Sequence, residues 1–206
     1  MQKTMRVGFT LGLGVVLFPA LALADVTAEP PHPSITHESP SLDRDSVTAL
    51  DDATIVAIFD FANTADIETG RLATRLGSTK EVRDFGAMLV LAHEQVRKLG
   101  RDLAKKLAVT PTPPANDQAP KDHAAAMARL EKLKGAAFDR AFLQHEVNFH
   151  AAVIDAVTKT LLPAIKNPEL RDLVVKVAPA FESHRAAASH MLQKGTAAPG
   201  GASHGM

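Results

Sequence analysis

The chain has no cysteine, no tryptophan and no tyrosine; nine phenylalanines are its whole aromatic content, 4% of 206 residues. Without cysteine there are no disulfides, no thiolate metal ligands, no thiol redox chemistry and no C-x-x-C-H haem attachment. Stability must come from an apolar core, and at 46% hydrophobic residues there is enough material for one domain with such a core. No run past the N-terminus reaches the ~18 apolar residues of a membrane span. Neither charge sign is in excess, with 23 basic and 23 acidic side chains. That balance argues against a nucleic-acid binder, which would need a basic face. The G-x-S-x-G elbow of serine hydrolases and the Gly-rich loops that cradle phosphates are also missing.

What is present begins with an export signature. Lys3 and Arg6 precede an apolar run from Val7 to Phe18, and "ALA" at 22–24 supplies small residues for cleavage before Asp25. Residues 1–24 are therefore expected to be a signal peptide, with the periplasm as destination and secretion as the alternative. Removing Lys3 and Arg6 leaves 21 basic against 23 acidic residues, a net charge of −2. Residues 25–47 are rich in proline, serine and acid and read as a disordered leader; the tail 194–206 has the same character. The folded unit is expected over 48–193.

Within it the apolar period is helical throughout. The first stripe is Ile55, Ile58, Phe59, Ala62, Ala65, Leu72 and Leu76, opened by Asp51 and Asp52 and ended by Gly77. Ser78 is expected to cap the second helix with Glu81 as its capping-box partner, above a stripe of Val82, Phe85, Leu89, Val96, Leu99 and Leu103. A short amphipathic stretch from Lys121 to Leu133 precedes a third long helix that opens near Gly135 and meets Pro163. The fourth starts near Asn167 and Pro168 and should kink at Pro179. One stripe per helix predicts an all-α fold: an up-down four-helix bundle with an extra short helix between helices two and three.

The chemistry concentrates in "QHEVNFHAAV", residues 144–153. His145 and His150 are five apart, not the four of H-E-x-x-H, so they diverge by about 140° around the helix and cannot clamp one ion as a zinc protease does. Glu146 and His150 are four apart and share a face, whereas His145 falls on the stripe of Phe138, Phe142, Phe149 and Val153. Each other long helix also carries a polar group at its inner face: Asp66, His93 and His184. With the turns at 77–78 and 163–168 taken to share one end, all five lie roughly 17 to 26 Å from it at ~1.5 Å per residue. The expectation is a mid-bundle layer of Asp66, His93, Glu146, His150 and His184. The alternative is that each histidine is buried singly with its own partner.

A di-iron ferroxidase centre needs Glu-x-x-His on two helices, and no helix here has that spacing; a mononuclear Zn, Cu or Fe site fits the set better. His32, His37, His204 and Met206 in the flexible ends read as solubilising. Arg97, Lys98, Arg101, Lys105 and Lys106 read as a solvated face, and Glu68 with Arg71 and Asp139 with Arg140 as surface pairs.

Four segments in order, "ANTADIETGRLA" (62–73), "VRDFGAMLVLAHEQVRKLG" (82–100), "GAAFDRAFLQHEVNFHAAVID" (135–155) and "VAPAFESH" (177–184), resemble the family DUF4142, a domain of unknown function whose members are often labelled outer-membrane or ferritin-like proteins. The resemblance spans about residues 50–193. It implies a ferritin-like bundle in an exported bacterial protein and no established reaction. It aligns His93, His150 and His184 with histidines of the family. The chain departs from the pattern at Ala92, where aspartate is frequent, and at Asp66, where glutamate is common.

The leading functional reading is a periplasmic binding or envelope-stress module without turnover. One rival is a metalloprotein or metalloenzyme using His93, His150 and His184 with Asp66 or Glu146. The other is a structural protein that binds an envelope partner through its bundle face. None of the three fixes an oligomeric state.

Overall fold

The computed structural model describes residues 50–196. The expected signal peptide at 1–24, the leader at 25–47 and the tail beyond Thr196 lie outside the described residues. Among the described residues there is no strand.

Helix α1 (Asp52–Leu76) starts where the Asp51 carboxylate accepts the Thr54 N–H at 2.7 Å, filling one of the four open donors of a helix N-terminus. It stops at Gly77, whose N–H closes on the Ala73 carbonyl at 2.8 Å. Helix α2 (Lys80–Lys106) is capped by Thr79, one residue later than expected: its hydroxyl accepts the Val82 N–H at 3.3 Å. Ser78 is engaged elsewhere, as a donor to Asp139 at 2.5 Å. On α2 the inner stripe shifts by one residue near its end. Leu99 is 41% exposed, and buried Gly100 faces the Phe59 ring instead.

Helix α3 (Ala119–Leu130) lies a few residues earlier than the amphipathic stretch suggested, with Pro120 in its first turn. Helix α4 (Gly135–Ala156) widens into a π-helical turn over Val157–Leu161 before the short α5 (Leu162–Ala164). Pro163 brings no N–H to the ladder, and the preceding turn closes instead through the Leu162 N–H to the Val157 carbonyl. Helix α6 (Pro168–Thr196) continues through Pro179. Pro179 and Val175, four residues before it, are both exposed, so the carbonyl that loses its donor faces water.

Two carboxylates set the topology. Asp139 near the start of α4 accepts from the Ser78 N–H, the Ser78 hydroxyl and the Thr79 N–H at 2.8, 2.5 and 3.2 Å. Asp52 at the start of α1 accepts the Lys166 and Asn167 N–H groups, both at 2.9 Å. The turns at 77–78 and 163–168 therefore lie at opposite ends of the bundle, not at one end as the height comparison assumed. The segment 107–134 crosses the length of the bundle: Thr112 N–H meets the Ala53 carbonyl at one end, and Leu130 joins the apolar cluster at the other. Spatial neighbours are α1 with α2, α4 with α6, α1 with α4 and α2 with α6, and each pair is antiparallel.

Helices α1 and α2 touch backbone to backbone. A Cβ on Gly70 or on Gly86 would come within 2.7 Å of the other's carbonyl oxygen, so only glycine permits this approach. The core has two apolar clusters. One gathers Ile55, Phe59, Leu161, Val174 and Phe181; the other gathers Leu72, Leu89, Phe138, Phe142 and Ala188. Full burial of each large side chain contributes about 1.5–3 kcal/mol.

Asp139 was read from sequence as a surface residue, but it is 8% exposed and holds one end of the bundle. Asp139→Ala should lower the unfolding free energy by about 2–3 kcal/mol because it strands turn donors as well as removing charge-assisted bonds. Exposed Arg140→Ala should change it by less than about 0.5 kcal/mol. Urea unfolding of both variants checks the contrast, and equal effects would contradict it.

Candidate metal centre

Between the two apolar clusters lies a layer of polar side chains. Helix α1 contributes Asn63, Asp66 and Thr69 at spacings of three, all 1–2% exposed. Helix α2 contributes His93 at 1%, α4 contributes Glu146 and His150 at 0%, and α6 contributes His184 at 7%. The three imidazole centroids form a triangle with sides of 5.1, 5.3 and 5.7 Å, and the Phe181 ring stacks on His93 from one side.

The bonding partners assign the imidazole tautomers. Asn63 Nδ2 donates to the Phe59 carbonyl at 2.8 Å, so its Oδ1 faces His93 and accepts from Nδ1 at 2.9 Å. His150 Nδ1 donates to the Glu146 backbone carbonyl at 3.0 Å. In both rings Nε2 is left with a lone pair directed into the layer. His93 Nε2 lies 3.2 Å from His184 Nδ1 and 3.2 Å from Asp66 Oδ2. His150 Nε2 lies 3.6 Å from the same Asp66 oxygen, and Glu146 Oε2 lies 3.5 Å from His150 Nδ1.

Burial dominates the electrostatics. It drives the pKa of His93 down to about 3, helped by His150 and His184. It drives His150 to about 3 as well, with His184 adding to the effect, and lowers His184. Burial also raises Asp66 well above the usual carboxylate range, with Glu146 beside it adding to the rise, and pushes Glu146 up to about 7. Four buried atoms in the layer, Asp66 Oδ1, Glu146 Oε1 and Oε2, and His150 Nε2, lack a partner in good hydrogen-bond geometry, with Asp66 and Thr69 the polar neighbours of the Glu146 carboxyl. All four can accept, and either a proton held by the two raised carboxyl groups or a cation can satisfy them. His93, His150 and His184 form one set, and Asp66, Glu146 and His150 another, whose donor atoms lie within 4.8 Å of one another. Buried groups of this kind can hold a metal ion.

With this geometry in place the chain can be set beside known proteins. Residues 37–191 match the family described as "Domain of unknown function (DUF4142)". The chain belongs to this family. A comparison with curated proteins gives no match. Among solved structures, the DUF4142 chain is similar to a DUF305 fragment from Deinococcus radiodurans, with 14% identity and a TM-score of 0.61 over 69% of this chain and 95% of that one. That likeness concerns the fold, a bundle of helices.

All five residues singled out from the sequence meet in the layer. Their positions near mid-helix explain why the mistaken end assignment did no harm: the middle of a 25-residue helix is about 18 Å from either end. Asp66 reaches His93 at 3.2 Å, and the Gly70–Gly86 approach brings α1 close to α2. Sequence reading missed Asn63 and Thr69, whose spacing of three on either side of Asp66 was the available signal. His145 stands outside the layer, half-buried and stacked on Phe149 at 5.9 Å, its pKa lowered to about 4 by burial and then by His123 and Arg129. Glu68 and Arg71 do not pair: Glu68 accepts from His123 at 2.7 Å, and Arg71 binds Glu94 at 2.7 Å.

The shifted groups predict the pH profile of the metal-free protein. Histidines depressed below 6.5 give stability that is present above that value and lost as pH falls toward about 3. Carboxyl groups raised above their usual values give stability that is present below about 4.5 and lost as pH rises through about 7. Metal-stripped protein should therefore be most stable between about pH 6 and 7 and weaken on both sides. Urea unfolding across acid to alkaline pH checks this, and a steady rise into alkaline pH would contradict the raised carboxyl groups.

Proposed function

We propose that this DUF4142 protein is exported to the periplasm and there binds one first-row transition-metal ion in the middle of its bundle. His93, His150 and His184 are the nitrogen ligands and Asp66 the oxygen ligand; Glu146 lies alongside as a further carboxylate. The observation that carries this reading is the spacing of the donor atoms. Four ligands at 2.0–2.1 Å in a tetrahedron are about 3.3–3.4 Å from one another. Three of the donor contacts here are 3.2, 3.2 and 3.6 Å, the first of them a hydrogen bond between His93 and His184 in the metal-free layer.

A donor set of three imidazoles and a carboxylate suits Zn²⁺, Cu²⁺ or Fe²⁺, with hard Mg²⁺ and Ca²⁺ disfavoured. The second contacts of the ligands are those expected of a metal site: Asn63 holds His93, and the Glu146 carbonyl holds His150. Exposures of 0–7% favour holding an ion over turning over an organic substrate. Two surface grooves of about 430 and 450 Å³ are lined by other residues. The rival reading, a partner-binding bundle face, has less support. The exposed large apolar side chains among the described residues are Met88, Leu91, Leu99 and Val175, a modest area that needs no partner. No helix among the described residues is long and apolar enough to cross a membrane.

Untagged protein purified from the periplasm should begin at Asp25 and carry one metal ion per chain by elemental analysis. His150→Ala should lose the ion. Adding the metal to stripped protein at 100 times its Kd should stabilise it by about 2.7 kcal/mol, read as a raised Tm. Metal-free protein whose Tm is unmoved by Zn²⁺, Cu²⁺, Fe²⁺ or Mn²⁺ would rule this function out.

A further inference from the structure

The three imidazoles of the layer are not held alike. His93 donates from Nδ1 to Asn63 Oδ1 at 2.9 Å, and His150 donates from Nδ1 to the Glu146 carbonyl at 3.0 Å. Each of these rings is fixed by its far nitrogen and can offer Nε2 to an ion while keeping that anchor. Both are enclosed, at 1% and 0% exposure.

His184 is held differently. Because His93 Nε2 carries a lone pair, the 3.2 Å contact between the two rings has His184 Nδ1 as its donor. An ion at the centre replaces that bond, since both nitrogens then need their lone pairs for the metal. The far nitrogen supplies no substitute anchor. Among the described residues no group bonds His184 Nε2, and unlike His150 Nε2 it is not enclosed, so it meets solvent. His184 is 7% exposed, where Asp66, His93, Glu146 and His150 are at 0–2%. Helix α6 is also interrupted close to the layer. Pro179, five residues before His184, brings no N–H to the ladder, and the Ser183 hydroxyl donates to the Pro179 carbonyl at 3.0 Å, a back-bond that bends helices. His93 and His150 stand in helices with no proline inside them.

We propose that His184 is the exchangeable ligand of the metal centre: its imidazole leaves the ion on the solvent side, and water or a small anion takes that coordination position. The metal–Nδ1 bond breaks with its electron pair kept by nitrogen, and a lone pair of the incoming donor makes the new bond. The oxidation state of the metal is unchanged, and His93, His150 and Asp66 remain as permanent ligands. The centre then belongs with the metal sites that keep one position for an outside ligand, not with closed structural ones. Apolar clusters above and below the layer restrict that outside ligand to a few atoms. The inference rests on the metal-binding reading of the layer.

The test uses the metal-stripped mature chain loaded with Co²⁺, whose unpaired electrons displace the proton NMR signals of ligating rings. The N–H signals of His93 and His150 should exchange slowly with water, and that of His184 rapidly. Added azide should return the His184 ring signals to their ordinary positions and leave the other two rings displaced, with Co²⁺ still bound. His184→Gly should keep its Co²⁺ with Kd raised by about 10–100-fold, the loss typical of a supporting contact. Imidazole added to that variant should restore the wild-type spectrum, whereas His150→Gly should lose Co²⁺ and gain nothing from imidazole. Signals of all three rings that stay displaced in azide would overturn the exchange while leaving the central site standing. A His184→Gly chain that folds by circular dichroism yet holds no Co²⁺, with or without imidazole, would overturn it too. If that variant does not fold, the azide experiment on the unaltered chain decides alone. A wild-type chain that takes up no Co²⁺ would remove the site and the exchange together.

Discussion

Three imidazoles and two carboxyl groups meet in the middle of the bundle, and the rest of the fold holds them there. Such a layer is costly. A buried acceptor in poor hydrogen-bond geometry costs up to about 1–3 kcal/mol, and Asp66, Glu146 and His150 carry four such atoms. Even a part of that is a sizeable share of the about 5–15 kcal/mol that a whole domain retains. In a chain with no disulfides, the apolar clusters above and below must offset it. A cation at the centre reverses the balance, since the same lone pairs then become ligands.

The surrounding structure bears on that layer at several points. The glycine contact between Gly70 and Gly86 sets the separation of α1 and α2, and so lets a short carboxylate reach His93. Asp139 and Asp52 tie turns to helix starts at opposite ends of the bundle, which fixes the vertical register of α4 and α6 against α1. Asn63 and the Glu146 carbonyl orient two of the rings so that the correct nitrogen faces inward. Together these contacts preorganise the donor atoms, so that binding an ion requires little further ordering of the chain.

Much of this is written in the sequence because helical period is local. The inner stripes of α1, α4 and α6 follow from apolar spacing, and the polar residues interrupting those stripes are the layer. What the sequence conceals is non-local. Ser78 and Thr79 are equally good caps in isolation, and the choice falls to Thr79 because Asp139, 61 positions away, occupies Ser78. Which end of the bundle each turn occupies depends on the crossover 107–134, and a stripe says which face is buried without saying which way the helix runs. The pairing of Glu68 with His123 was hidden for the same reason, since each finds its partner on another helix.

Membership of DUF4142 and the bundle fold leave the activity open, and the proposed metal binding by the layer is what a measurement has to test. X-ray absorption at the metal edge of Zn²⁺-loaded protein reads that chemistry directly. Three imidazoles and one oxygen at about 2.0–2.1 Å are expected, falling to two imidazoles or to no bound metal in His150→Ala. A first shell of oxygens without the outer-shell scattering of imidazole rings, unchanged in His150→Ala, would contradict a metal centre in the middle of the bundle.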